Sequence, residues 1–108
     1  MRKLFFLFVT LLATTTLWAY DFQSGDLYYN IISSSAPYTV EVTYEKDLSC
    51  YNYNGLTTAI IPEEVTYNGI TYSVTSIGSY AFDGCSSLTS VILPKKVRSI
   101  GLYAFNGC

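Results

Sequence analysis

Apolar and polar positions alternate with period two in the middle of this chain, and they recur with a much longer period toward its C terminus. Tyr38, Val40, Val42 and Tyr44 interleave with Thr39, Glu41, Thr43 and Glu45, the pattern of a half-buried strand. Residues 27–32 supply a partner strand across the loop Ser33-Ser34-Ser35-Ala36-Pro37. Residues 47–55 read as a loop. Beyond it, Val65-Thr66-Tyr67 and Ile70-Thr71-Tyr72 flank Asn68-Gly69. Asn-Gly between alternating β-formers predicts a two-residue hairpin, because both turn positions need φ > 0. Pairing across it sets Tyr67 opposite Ile70, Thr66 opposite Thr71 and Val65 opposite Tyr72. The apolar pairs then share one face and the threonines the other.

The longer period is an internal repeat, which decides the architecture. Ile77-Gly78-Ser79-Tyr80-Ala81-Phe82-Asp83-Gly84-Cys85 aligns with Ile100-Gly101-Leu102-Tyr103-Ala104-Phe105-Asn106-Gly107-Cys108, seven of nine positions being identical at a spacing of 23. Leu56-Thr57-Thr58-Ala59-Ile60-Ile61-Pro62 aligns with Leu88-Thr89-Ser90-Val91-Ile92-Leu93-Pro94 at a spacing of 32. The nine extra residues lie between Val65 and Ile77 and hold the Asn68-Gly69 hairpin, so the first repeat carries an insertion. In each unit a short strand would send Leu88, Val91 and Leu93 into a core, and Pro94 would end its pairing for want of an N–H. A helical or irregular turn would then return with small Ala81 and Ala104 and interior Phe82 and Phe105. Gly78 and Gly101 are expected to adopt backbone shapes that a larger residue resists. Parallel stacking of equivalent strands follows, about 4.8 Å apart. Two units are few for a solenoid, so the N-terminal region must cover one end.

The unit Leu88-x-x-Val91-x-Leu93-Pro94-x-x-Val97-x-x-Ile100-Gly101-x-x-Ala104-Phe105-x-x-Cys108 resembles the BspA-type leucine-rich repeat. The resemblance covers residues 56–108. That family occurs in surface proteins of host-associated anaerobic bacteria and some protozoan parasites. It implies a non-enzymatic protein-binding or adhesion module, secreted or held at the cell surface.

The expected fold is mainly β: an N-terminal β-hairpin cap over residues 20–55, then a short solenoid over residues 56–108. Its first repeat would span 56–87, with the hairpin insertion at 66–74, and its second 88–108, open at the C-terminal end. Residues 1–19 read as a secretory signal peptide. Arg2 and Lys3 precede an apolar run from Leu4 to Trp18, and Ala19 offers a small residue for cleavage. The run is shorter than the roughly 20 residues a membrane span needs, so no insertion is expected after its removal. Losing Arg2 and Lys3 would leave four basic residues against eight acidic ones, a net charge of −4.

Composition narrows the chemistry. Half of the 108 residues are apolar, which suits a packed core rather than a disordered tail. No basic run could neutralise a phosphate backbone, which argues against nucleic acid. Histidine is absent, removing the commonest general base and metal ligand. Cys50, Cys85 and Cys108 lack the clustered spacing of a zinc site. Cys85 and Cys108 recur in register, where a disulfide is sterically open, but buried free thiols are the favoured reading. Glu63-Glu64 and Lys95-Lys96 occupy equivalent positions and could attract each other weakly. Glu63 and Glu64 sit side by side on a turn, unlike the converging acids of a hydrolase. No catalytic residue, metal site or cofactor is therefore expected.

What remains is surface. Thr58, Ile60, Ser90 and Ile92 should point away from the core on one shared strand face, forming a candidate ligand-binding stripe for a host or neighbouring-cell protein. Strand propensity alone would also explain the two isoleucines. The eleven tyrosines open a second possibility, carbohydrate binding on cap tyrosines, since tyrosine suits interfaces. A third is that the chain is a fragment of a longer repeat protein. Its last strand would then expose an edge with Val91, Val97, Ile100 and Phe105, through which the isolated chain should self-associate.

Overall fold

Eight strands joined by turns make up the protein in a computed structural model that describes residues 20–44, 53 and 55–108, with no helix among them. The leader expected over residues 1–19, Cys50 and most of the loop at 47–55 lie outside the described residues. The strands are β1 (Phe22–Ser24), β2 (Leu27–Ser33), β3 (Thr39–Thr43), β4 (Thr58–Ile60), β5 (Glu64–Tyr67), β6 (Ile70–Ile77), β7 (Ser90–Ile92) and β8 (Ser99–Ile100).

The N-terminal region is an antiparallel meander. β2 pairs with β3 through Tyr29 opposite Val42 and Ile31 opposite Val40, across the predicted serine-rich loop. The sequence did not reveal β1, which adds a third strand with Phe22 opposite Tyr29. Phe22, Leu27, Tyr29, Val40 and Val42 are buried, the inward half of each alternation. Period two thus translates directly into one buried face.

The Asn68-Gly69 hairpin forms with the expected pairs, Tyr67 with Ile70, Thr66 with Thr71 and Val65 with Tyr72. Both turn residues have positive φ, 53° and 78°, the requirement that makes Asn-Gly diagnostic. Thr66 and Thr71 join their hydroxyls at 3.1 Å on the exposed face. The hairpin is nevertheless more than an insertion. Its second strand, β6, runs on through Ser76 and Ile77, where it pairs in parallel with β8, and its other edge pairs in parallel with β3. The meander was expected to cap the first repeat strand, but among the described strands it pairs with β6 and not with β4. It joins the hairpin in one sheet, in the order β1-β2-β3-β6-β5, with β8 also on β6. One strand, residues 70–77, serves the hairpin at its start and the repeat at its end, with a register shift against β3 between Val74 and Ser76, and this continuity fuses the two.

The second sheet is the parallel pair β4 and β7, with Thr58 opposite Ser90, Ala59 opposite Val91 and Ile60 opposite Ile92. Each pair is 32 residues apart, whereas Ile77 and Ile100 in the other ladder are 23 apart. The two offsets are those of the sequence repeats. Irregular turns connect the ladders. Tyr80, Phe82 and Gly84 donate their N–H groups to the carbonyls of Leu102, Ala104 and Asn106, so the turns too are bonded rung to rung.

The repeat glycines act through space rather than through φ. A Cβ on Gly78 would lie 2.9 Å from the Val42 carbonyl oxygen, and one on Gly101 would collide with the backbone of Gly78 and Ser79. Gly78 and Gly101 thus let successive rungs touch backbone to backbone. This corrects the expectation of unusual backbone shapes there.

Candidate binding face

Side chains on β4 and β7 alternate between core and solvent. Ala59 and Leu88 are buried, while Thr58, Ile60, Ser90 and Ile92 are all exposed and share one face. Ile60 keeps 67% and Ile92 55% of its surface open. The two stack across the parallel ladder, and Ser90 Oγ donates to Thr58 Oγ1 at 3.3 Å beside them. A β-branched apolar pair flanked by a hydroxyl pair is thereby held on paired backbone.

Burial differs sharply between equivalent positions of the two repeats. Ile61 is 3% exposed but Leu93 is 42% exposed; Ile77 is 1% exposed but Ile100 is 52% exposed. Leu93 therefore does not enter the core as its repeat position suggested. The reason is stacking: Ile61 and Ile77 have a rung on the far side, and Leu93 and Ile100 have none among the described residues. Val91, Val97 and Phe105 are half-buried for the same reason, and Leu102 and Tyr103 are exposed.

A second column of contacts runs down the turns. Tyr80 and Tyr103 both adopt positive φ, 63° and 58°, and their ring centroids lie 5.4 Å apart. Such a conformation costs a non-glycine residue about 1–3 kcal/mol, so cross-rung bonds must hold it. One is the Ser79 hydroxyl, which accepts the Leu102 N–H at 3.2 Å; another runs from Asn106 Nδ2 to Asp83 Oδ1 at 3.0 Å.

Sequence reasoning overlooked Tyr53. It is buried, donates its hydroxyl to the Thr43 carbonyl at 2.6 Å and accepts the Tyr28 N–H at 3.0 Å. Its ring stacks on Phe82 at 4.9 Å, and Phe82 stacks on Phe105 at 5.3 Å. The signal was present: Tyr51-Asn52-Tyr53-Asn54-Gly55 echoes Tyr80-Ala81-Phe82-Asp83-Gly84 and Tyr103-Ala104-Phe105-Asn106-Gly107. Gly55, Gly84 and Gly107 share positive φ. Tyr53 is thus a third aromatic rung, 29 residues before Phe82 because the hairpin adds nine residues while the link from Gly55 to Leu56 is three residues shorter than that from Gly84 to Leu88.

The tyrosines of the N-terminal sheet and hairpin are packed to different degrees. Tyr29, Tyr53 and Tyr72 are buried, and Tyr20, Tyr28, Tyr38, Tyr44 and Tyr67 are half-buried among one another and Phe22. The cysteines also depart from expectation. Cys85 is disulfide-bonded, not a free thiol, and its partner sulfur lies outside the described residues. Cys108 is free and exposed, donating to the Phe82 carbonyl at 3.3 Å, so no bridge joins the two repeats. Glu63, Glu64, Lys95 and Lys96 are all exposed, and Lys96 reaches Ser73 Oγ at 3.4 Å.

Parallel strands stacked at fixed sequence offsets, with aromatic rungs beneath and glycines at the corners, define a short solenoid of the leucine-rich-repeat class. The profile of the BspA type leucine rich repeat region (6 copies) matches residues 47–108, and the chain belongs to that family. It is similar to a leucine-rich repeat protein from Bacteroides ovatus, with 37% identity and a TM-score of 0.64 over 80% of this chain and 21% of that one. It is also similar to one from Bacteroides capillosus, with 35% identity and a TM-score of 0.63 over 81% of this chain and 58% of that one. A leucine rich cell surface protein from Faecalibacterium prausnitzii shares the fold at 23% identity and a TM-score of 0.50, over 81% of this chain and 28% of that one. The chain thus spans between about a fifth and three fifths of the length of these structures. No curated protein matches it.

Proposed function

We propose that this chain is an exported, non-enzymatic module that binds a protein partner at the cell surface or outside the cell. The exposed pair Ile60 and Ile92 on paired strands carries the reading. Burying two β-branched side chains already fixed by the backbone costs little ordering entropy. Thr58 and Ser90 would supply hydrogen bonds at the margin of the contact. The leader pattern of residues 1–19 supports export, as does likeness to a leucine rich cell surface protein. The burial of Tyr29 and Tyr53 in the N-terminal region favours the protein-binding reading over sugar binding.

The test compares immobilised extracellular-matrix proteins with a glycan array, using the wild-type chain and an Ile60→Asp/Ile92→Asp variant. Both positions are exposed, so the variant should fold. Binding to at least one protein surface, reduced tenfold or more in the variant, is expected. Binding confined to glycans, or unchanged in the variant, would overturn the proposal.

A further inference from the structure

The solenoid has three rungs in two of its columns and two in the third. Val42, Ile77 and Ile100 stack through β3, β6 and β8, and Tyr53, Phe82 and Phe105 stack through their rings. The β4–β7 ladder has two members among the described residues. Among the described residues, no strand takes the lane beside β4 on the side away from β7, which belongs to the rung of β3 and Tyr53. A cavity of about 310 Å3 opens there, lined by Leu56, Thr58, Ile60 and Pro62 along β4 and by Ser24 and Asp26 from the β1–β2 turn.

The backbone of β4 is aimed at this lane. Toward β7 it presents the Thr57 carbonyl, 2.8 Å from the Thr89 N–H donor, and the Ile61 N–H, 3.0 Å from the Ile92 carbonyl. Backbone groups on a strand alternate sides from residue to residue, so those of Thr58 and Ile60 face the lane. Three residues of added strand need about 10 Å of length and a lane about 4.8 Å wide. The cavity volume over that footprint leaves a depth of about 6 Å, room for a backbone carrying side chains of alanine size. Among the described residues of its wall, Asp26 is the charged one.

We propose that this lane binds an extended peptide of another protein by strand addition to β4, with small residues inward and a lysine or arginine beside Asp26. Main-chain bonds to Thr58 and Ile60 supply the affinity and the inward pockets the selectivity, as in other strand-addition modes. The site uses the backbone edge of β4 and not the side chain of Ile92, so it goes beyond the outward face although Thr58 and Ile60 border both.

The probe is the blocked synthetic peptide Lys-Thr-Ala-Val-Ala-Thr-Lys, titrated into the whole 15N-labelled chain. Saturable shifts of the Thr58 and Ile60 amide signals are expected. Ile60→Pro removes a lane-facing donor without touching the β7 bonds and should weaken binding at least tenfold. Replacing both peptide lysines with glutamate should weaken binding at least fivefold, and so should Asp26→Lys, on an exposed turn that does not threaten the fold. Unchanged binding in Ile60→Pro or Asp26→Lys would overturn the proposal. So would shifts confined to residues 90–93, no shifts at all, or sedimentation showing the lane filled by a second copy of the chain.

Discussion

Phe82 and Phe105, 23 residues apart in sequence, lie with ring planes 3° from parallel and centroids 5.3 Å apart. Tyr53 covers the other face of Phe82, which is fully buried. Phe82→Ala should therefore open a cavity between two rings and cost about 3–5 kcal/mol. Ser79, three residues before Phe82, is exposed, but its hydroxyl accepts the Leu102 N–H. Ser79→Ala should cost about 0.5–1 kcal/mol, the worth of one exposed hydrogen bond. Denaturant melts of both variants check the pair, and equal losses would misplace the repeat interior.

Tyr53 ties the meander to the rungs through one hydroxyl. Tyr53→Phe leaves the Thr43 carbonyl and the Tyr28 N–H without that partner and should cost about 1–3 kcal/mol. Burial pushes the Tyr29 hydroxyl up from its ordinary 10.0 to about 12, and it raises that of Tyr53 too, outweighing the Tyr28 N–H. Both groups keep their protons in the folded chain while the unfolded chain releases them. Stability from this source is thus complete below pH 10.0 and falls as pH rises from there through about 12. Urea melts across that window should show the fall, and Tyr53→Phe should make it shallower.

Much of this architecture was legible because its causes are local or repetitive. Asn68-Gly69 fixes a turn by the φ values it tolerates, and the recurrence of Ile-Gly-x-x-Ala-Phe fixes a stacking offset. The outward set Thr58, Ile60, Ser90 and Ile92 followed from period two on short strands. Features set by distant neighbours were hidden. Nothing local tells that residues 70–77 serve both hairpin and solenoid, or that Gly78 must admit the Val42 carbonyl. Leu93 and Ile61 look alike in sequence, and only the presence of a rung on the far side separates them. Tyr53 was masked by Tyr-for-Phe replacement and by an altered spacing.

The cysteines should differ in chemistry. Alkylation of the native chain without reductant should label Cys108 and leave Cys85 in a cross-linked peptide on mass mapping. Partial burial, opposed by a hydrogen bond to the Cys85 backbone and aided by the Asp83 charge, pushes the Cys108 thiol up. Because the thiolate is the nucleophile, its labelling should be slow at neutral pH and accelerate as pH rises.

Leu93, Ile100, Leu102 and Tyr103 form an exposed apolar end beside the outer edge of β7. Uncovered strand edges template further pairing. The 108-residue chain should therefore self-associate as its concentration rises, and Leu93→Lys/Ile100→Lys should shift it toward monomer. Sedimentation equilibrium across a hundredfold concentration range checks this, and a monomer throughout would contradict it.

The central claim is that the outward face of the repeat strands meets a protein partner. Cross-saturation transfer from a bound matrix protein to the amides of this chain maps that contact residue by residue. The account predicts the strongest transfer at Thr58, Ile60, Ser90 and Ile92. Transfer confined to Ile100, Leu102 and Tyr103, or to the tyrosines of the N-terminal sheet, would contradict it.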